Sequence, residues 1–151
     1  MNRVLVSAAG GLALAGAAFL SLAAAPAASR LKPDDPTVVA LGQQVYAVEC
    51  AACHGAQLQG APNWRVPGPD GLLPAPPHDA TGHTWHHDGE TLFRLTKYGV
   101  ARLINDPDYV SNMPVYEDVL SDDEIIAVLS YIKSTWPDEI RARHDEMENR
   151  Q

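Results

Sequence analysis

Apolar residues recur three and four positions apart in the segment that follows residue 36, which is the spacing of one face of a helix. We expect this helix to be capped by Thr37 and to run into Cys50. Its apolar positions are Val38, Leu41, Val45 and Val48. Nowhere does the chain alternate between apolar and polar residues for long enough to build a sheet, so the pattern favours helices and loops.

Two further helices are predicted nearer the C-terminus. The first is short, over Leu92–Tyr98, and Gly99 stands where a left-handed residue ends many helices. The second begins at a capping box, in which the side chains of Ser121 and Glu124 each accept a hydrogen bond from the other's backbone N–H. Its apolar stripe consists of Ile125, Val128, Leu129 and Ile132. We expect it to end before Pro137, which cannot continue a helix.

Two segments lack the pattern of a buried helix. Residues 55–77 contain four glycines and six prolines, a density that excludes any long regular element. A loop of this length inside a compact domain needs a functional reason, such as wrapping a large buried cofactor. Residues 138–151 are rich in charge, with only Ile140 and Met147 as sizeable apolar residues, so we expect a solvated helix or a disordered tail.

Residues 1–28 have the composition of an export signal. No residue from Val4 to Ala28 is charged, and the triplet Ala25-Pro26-Ala27 suits signal peptidase. We expect cleavage near residue 27 or 28, with residues 29–36 as a polar linker. An uncleaved membrane anchor is the alternative, because about 20 apolar residues cross a bilayer. In both cases the remaining chain is expected outside the cytoplasm, in the periplasm.

The chain is acidic, with 11 Lys and Arg against 19 Asp and Glu and a formal net charge of −8. Loss of Arg3 with the signal leaves ten basic residues and a net charge of −9. Nonspecific binding to nucleic acid needs clustered positive charge, so this balance excludes nucleic acid as a partner and favours basic proteins. Only 7% of the residues are aromatic, so a cofactor is one source of the apolar bulk that the core lacks.

Both cysteines of the chain lie in one pentapeptide, Cys50-Ala51-Ala52-Cys53-His54, which has the C-x-x-C-H pattern of a c-type haem attachment site. Cysteines three residues apart on a helix share a face, so both thiols can add to the two vinyl groups of one porphyrin. His54 is then the proximal iron ligand. The alternatives are a thioredoxin-like pair, half of a zinc site and a plain disulfide. The chain has neither a βαβ pattern nor a second cysteine pair, and a disulfide leaves the histidine unexplained.

A haem in an electron carrier also needs a sixth ligand, and Met113 is the candidate, on a loop before the capping-box helix. A thioether is a soft, neutral ligand that raises the reduction potential compared with a second imidazole. Core packing is the ordinary role of a methionine. That role is less favoured here because the other two methionines are Met1, in the signal, and Met147, in the charged tail.

From Thr37 to Trp136 the chain resembles the class I cytochromes c, the small monohaem electron carriers of respiratory and photosynthetic chains. The resemblance rests on the Cys50–His54 motif, the Asn112-Met113-Pro114 loop and the closing segment 129–137. It implies an all-α cytochrome c fold, with helices and long loops wrapped around one haem c that is attached through two thioethers. This domain is expected to cover residues 37–137.

The resemblance also implies a packing arrangement and a function. Gly42 and Tyr46 on the first helix are expected to pack against Tyr131 on the last helix of the family's fold. The implied function is that of a one-electron carrier, not an enzyme, which exchanges electrons with donor and acceptor redox proteins. The alternatives are a haem subunit of a larger oxidoreductase at the inner membrane, and a haem sensor or enzyme with an open sixth site.

Two contacts around the haem follow as expectations. A backbone carbonyl in Gly68-Pro69 or Leu73-Pro74 should accept the Nδ1–H of His54 and so fix the tautomer of the ring. Trp85 is expected to donate its indole N–H to a haem propionate, as aromatic residues near that edge do in relatives.

Four other histidines lie close together in the sequence: His78, His83, His86 and His87. One interpretation gives them ordinary surface or propionate contacts. Another is a second metal site for copper or zinc, with His83, His87 and either Asp79 or Asp88 as ligands. A third is that one of them replaces Met113 as the distal ligand, which would lower the potential.

Overall fold

The computed structural model describes residues 31–150, and all regular structure in this part of the chain is helical. The predicted signal, its cleavage point and the first linker residues lie outside the described residues. The helices are α1 (Pro36–Val45), α2 (Ala51–His54), α3 (Gly89–Leu103), α4 (Asp122–Ser134) and α5 (Asp138–Glu148). A π-helical turn, Tyr46–Cys50, joins α1 to α2, and a 3-10 turn, Thr84–His86, precedes α3. Within residues 31–150, no helix has the length and apolar character needed to cross a bilayer.

The first helix begins two residues earlier than predicted, since its cap is Asp35 instead of Thr37. The Asp35 carboxylate accepts hydrogen bonds from the backbone N–H groups of Thr37, at 2.9 Å, and Val38, at 3.3 Å. Pro36 occupies the first helical position, where its lack of an N–H costs nothing because that group would have no helical partner.

The buried face of α1 also differs from the predicted stripe. Gly42 and Val45 are buried, whereas Leu41 is 40% exposed and Val48 is 76% exposed. The π-helical turn from Tyr46 to Cys50 has more residues per turn than an α-helix, so positions after Val45 are rotated away from the regular spacing. The predicted stripe is wrong at Val48, which lies in this turn, and also at Leu41, which precedes the turn on the exposed side of α1.

Gly42 lets α1 and α4 pack backbone against backbone. A Cβ atom at Gly42 would lie 1.9 Å from the carbonyl oxygen of Ala127 and 2.8 Å from Cβ of Tyr131. One turn further along, the rings of Tyr46 and Tyr131 pack with centroids 5.6 Å apart. The expected packing of Gly42 and Tyr46 against Tyr131 is confirmed.

Helix α3 is longer than predicted. Asp88 caps it by accepting a hydrogen bond from Thr91 N at 2.8 Å, and Gly99 is left-handed with φ 79°, as its position indicated. The helix nevertheless resumes after Gly99 and ends at Leu103, because residues that follow a left-handed break can start a new turn. The predicted end of the helix before Gly99 is therefore confirmed, and a second short helical segment follows the break within α3.

Helix α4 forms the centre of the core, and its capping box is confirmed. Ser121 N donates to Glu124 Oε2 at 2.9 Å, and Glu124 N donates to Ser121 Oγ at 3.3 Å. The predicted stripe is buried throughout: Ile125, Val128, Leu129 and Ile132. The helix ends at Ser134, three residues before Pro137.

Most of the charged tail forms α5, which docks on the rest of the domain. Ile140 and His144 are buried in the interface. The buried ammonium group of Lys133, on α4, lies 2.6 Å from Asp145 Oδ1 and 3.2 Å from Glu148 Oε2. The expected helix is therefore present, but the expectation that it is solvated is corrected, since carboxylates of the tail neutralise a buried charge of the preceding helix.

Candidate haem-attachment site

The two cysteines stand on either side of the junction between the π-helical turn and α2. Cys50 ends the π-helical turn and is partly buried against the core, whereas Cys53 lies within α2 and is exposed. Both are free thiols. Burial, together with the nearby charge of Glu49, raises the pKa of Cys50 to about 11, so this thiol remains protonated near neutral pH.

The imidazole of His54 is buried and held by a single backbone carbonyl. Its Nδ1–H donates to Pro76 O at 2.8 Å, so the predicted acceptors in Gly68-Pro69 and Leu73-Pro74 were wrong. The acceptor lies later in the loop because the two ends of the loop pair with each other. His78 N donates to Leu58 O at 2.7 Å, which brings Pro76 beside the ring, and Ala61 N donates to Ala75 O at 2.8 Å.

This hydrogen bond decides which nitrogen of His54 is available to a metal. A carbonyl oxygen only accepts, so Nδ1 carries the proton and Nε2 carries the lone pair. Burial also lowers the pKa of His54, which favours the neutral ring that metal ligation requires. The ring is therefore prepared as a ligand through Nε2.

Met113 lies on a loop that is bonded to the cysteine motif. Its side chain is partly buried against the same core cluster as Cys50. The phenol of Tyr116, three residues later, donates to Glu49 O at 2.9 Å. Asn112 Nδ2 donates to Asp70 Oδ2 at 3.4 Å, a long contact to the loop that follows α2. The loop that carries the predicted sixth ligand is thus tied to the segment that carries the proximal one.

The residues present fit a c-type haem. They offer two thiols on one helical turn, a buried neutral imidazole with its Nε2 lone pair available, and a thioether on an adjoining loop. The neighbouring loops also carry exposed apolar side chains, which together form the kind of apolar surface that a porphyrin covers. These are Val66, Leu73, Ile104, Val110 and Val115.

Comparison with known proteins gives the family. Residues 39–136 match the sequence profile of the family described as Cytochrome c. The chain belongs to the cytochrome c family. No curated protein and no solved structure matches it significantly. Membership implies a covalently bound haem c and a role in haem-based electron transfer. Helix α5 lies outside the matched residues.

Trp85 of this cytochrome is partly buried against the core, and its indole N–H points to a backbone carbonyl. Trp85 Nε1 donates to Ala80 O at 3.4 Å, which is beyond the usual length of such a bond. A propionate oxygen is a stronger acceptor than this distant carbonyl. The contact between Trp85 and a haem propionate stays a prediction.

The second metal site predicted among the histidines is not formed. The rings of His83 and His87 meet edge to face with centroids 5.6 Å apart. The expected carboxylates serve as local caps instead: Asp79 accepts from Thr81 N at 2.8 Å, and Asp88 caps α3. Within residues 31–150, only one group of three potential metal ligands has its ligand atoms within 4.8 Å of one another, namely His144, Asp145 and Glu148. Both carboxylates of this group already form ion pairs with the Lys133 ammonium.

The sequence did not reveal that His78 packs directly on His54. The two rings stack with centroids 4.0 Å apart. Burial, with some repulsion from His54, lowers the pKa of His78 to about 3, so this second ring is neutral as well. The only sequence signal is its position in the loop, two residues after Pro76, and the pattern does not distinguish it from the exposed histidines that follow.

Proposed function

We propose that this cytochrome is a one-electron carrier in a periplasmic respiratory or photosynthetic electron-transfer chain. The hydrogen bond from His54 Nδ1 to Pro76 O carries the proposal, because it presents the Nε2 lone pair of a buried, neutral imidazole next to two free thiols. When bound, the haem supplies the redox chemistry, with iron alternating between Fe(III) and Fe(II).

Cys50 and Cys53 would hold the haem through thioethers, and His54 would ligate its iron. Because Nδ1 is committed to the Pro76 carbonyl, the ring cannot present its other nitrogen without losing that bond. The motif is held further by Tyr46, whose phenol donates to Gly55 O at 2.8 Å. Fixed ligands change little between oxidation states, and a small rearrangement suits fast electron exchange.

Met113 would be the sixth ligand. Its thioether is neutral and soft, and it would favour Fe(II) and give a higher potential than a second histidine. Its loop is bonded to the haem motif through Tyr116, whereas Met147, the other methionine among residues 31–150, lies on α5. A filled sixth position also excludes small molecules, which favours a carrier over a sensor or an enzyme.

The expected partners are redox proteins with basic docking surfaces. The net charge of −8 attracts such partners and repels acidic ones. Export rests on the composition of residues 1–28, and attachment of a c-type haem outside the cytoplasm agrees with it. Membrane association would follow from an uncleaved N-terminus or from assembly with a membrane complex.

The first test is the attachment of haem. The full chain, expressed with a cytochrome c maturation system, should keep its colour after denaturation, and its intact mass should exceed that of the mature polypeptide by one haem. Release of the colour on denaturation, or the mass of bare polypeptide, would overturn the proposal. The same mass shows whether residues 1–28 are removed, and cell fractionation locates the protein.

The second test is the ligand set. The Fe(III) protein should be low-spin and show a weak near-infrared band from the thioether, and Met113→Ala should abolish this band. Met147→Ala is the matched control and should retain it. A high-spin wild-type protein that binds carbon monoxide rapidly would contradict the carrier and support a sensor or an enzyme.

A further inference from the structure

His78 is packed against the imidazole of His54 at stacking distance. The ring centroids lie 4.0 Å apart and the planes differ by 25°, so the rings lie nearly face to face. Tyr46 approaches the His78 ring at an edge, with centroids 6.3 Å apart. His54 is thus held at its Nδ1 edge by the Pro76 carbonyl and on one ring face by His78.

The hydroxyl of Thr84 sets the orientation of the His78 ring. Thr84 Oγ1 forms a hydrogen bond with Nδ1 of His78 at 2.8 Å, and it also lies 3.3 Å from Pro77 O. This hydrogen bond holds the His78 ring in one rotation about its side-chain bonds. Thr84 is 5% exposed, so water has little access to compete for these bonds.

The backbone of His78 is anchored as well. Its N–H donates to Leu58 O at 2.7 Å, and its carbonyl accepts the indole N–H of Trp136 at 2.8 Å. Trp136 is itself buried, next to the start of α5. The turn around His78 is tightly packed, since a Cβ at Gly82 would lie 2.0 Å from Pro77 O. Bonds at both the backbone and the ring make His78 a fixed surface against which His54 rests.

We propose that His78 is a positioning residue, which sets the orientation of the proximal imidazole about its bond to iron. The proposal rests on the assignment of His54 as that ligand under the proposed function. A single hydrogen bond at Nδ1 tolerates a range of ring tilts, because such bonds weaken steeply only at large angular deviations. A flat ring stacked on one face removes the tilts that would bring the two rings into collision.

The orientation of an axial imidazole has a direct spectroscopic signature. The plane of the ring determines how its π orbitals overlap with those of the iron, and so how unpaired spin spreads over the porphyrin in the Fe(III) form. The four haem methyl groups report this distribution through their shifted proton resonances. A change in stability alone does not reorder these resonances, so they separate positioning from a merely structural role.

The experiment compares two substitutions of similar size in the holo-protein. His78→Phe keeps a flat aromatic face against His54, whereas His78→Leu fills the space without one. We expect the Phe variant to retain the order and spread of the wild-type methyl resonances and the Leu variant to change them. His83→Ala removes an exposed histidine of the same loop, which stacks on Trp64, and should match the wild type.

Wild-type methyl resonances in His78→Leu would overturn the proposal, as would an equal change in the Phe and Leu variants. If both variants fail to fold, His78→Gln decides, because its amide can keep a hydrogen bond to Thr84 Oγ1 but offers no aromatic ring to His54, so it should also shift the resonances. An unchanged pattern in that variant would overturn the proposal too. A wild-type protein without covalent haem or without histidine ligation would instead refute the proposed function, and this is established before any variant is measured.

Discussion

Tyr116 donates its phenolic proton to the carbonyl oxygen of Glu49 at 2.9 Å, across 67 residues of sequence. Glu49 is the residue before the first cysteine of the haem motif, and Tyr116 follows Met113 by three positions. Burial raises the pKa of Tyr116 to about 12, so the phenol remains a proton donor at every pH at which the protein is expected to work. This bond joins the segments that carry the two predicted axial ligands.

Tyr116→Phe should therefore weaken both the fold and the bond from Met113 to iron. We expect a loss of about 1 kcal/mol in the free energy of unfolding, the usual worth of one such hydrogen bond. The near-infrared thioether band should also disappear at a lower urea concentration than in the wild type. Tyr109→Phe, at an exposed tyrosine of the same loop, is the control. Coincident urea curves for Tyr116→Phe and the wild type would refute this role.

Gly42→Ala should be severely destabilising. The added methyl group would lie 1.9 Å from Ala127 O, on the backbone of a central helix that cannot easily move aside. We expect a loss of about 3 kcal/mol or more, at the upper end of the cost of overpacking. Chemical denaturation of the holo-protein measures it. Gln43→Ala, at the adjacent exposed position of α1, should change stability little, and a similar small effect at Gly42 would mean that the helices do not cross there.

Stability should fall as the pH is lowered below about 6.5, partly because of His144. Burial, and secondly the charge of Lys133, lowers the pKa of His144 to about 4. In the unfolded chain this group has a pKa of about 6.5, so between these values the unfolded state binds a proton that the folded state does not. The contribution of His144 to the free energy of unfolding is fully present above about pH 6.5. As the pH falls from there, this contribution decreases by up to about 1.4 kcal/mol per pH unit, and it changes no further below about pH 4.

His144→Gln should flatten this part of the pH profile. Unfolding free energies at a series of pH values between about 4 and 7 give the slope, and the slope difference between wild type and variant gives the contribution of one proton. His86→Gln, at an exposed histidine, is the matched control. Parallel profiles for wild type and His144→Gln would show that this imidazole is accessible to protons in the folded state.

Electron exchange with a basic redox partner should slow as salt is added. Between ionic strengths of about 0.01 M and 0.1 M the Debye length shortens from ~30 Å to ~10 Å, which removes most long-range attraction. We expect the second-order rate constant from stopped-flow mixing to fall about tenfold over this range. A neutral small-molecule reductant is the control and should show little change. An equally flat profile with the protein partner would argue against electrostatic docking.

The sequence predicted the elements whose signals are local. The capping box at Ser121 and the apolar stripe of α4 needed only the spacing of residues within one helix, and both are present. Gly42 and Tyr46 were placed correctly because a resemblance supplied their partner, Tyr131. The C-x-x-C-H pattern likewise identified the attachment site from five consecutive residues.

What the sequence missed depends on contacts between distant segments. The π-helical turn at Tyr46–Cys50 rotates Val48 away from the core, and apolar spacing does not encode such an insertion. Pro76 becomes the acceptor for His54 only because the two ends of a long loop pair. The stacking of His78 on His54 follows from the same pairing of the loop ends. The docking of α5 depends on the buried Lys133, which looks like an ordinary surface residue in the sequence.

The lysine at the end of α4 ties the family domain to a helix that the family profile does not include. Lys133 is 3% exposed, and its counter-ions, Asp145 and Glu148, come from α5. Cutting this cytochrome at residue 137 would remove both counter-ions of Lys133 and also the His144 ring that packs on Trp136. A shortened chain for crystallisation or engineering therefore has to retain the helix through Glu148.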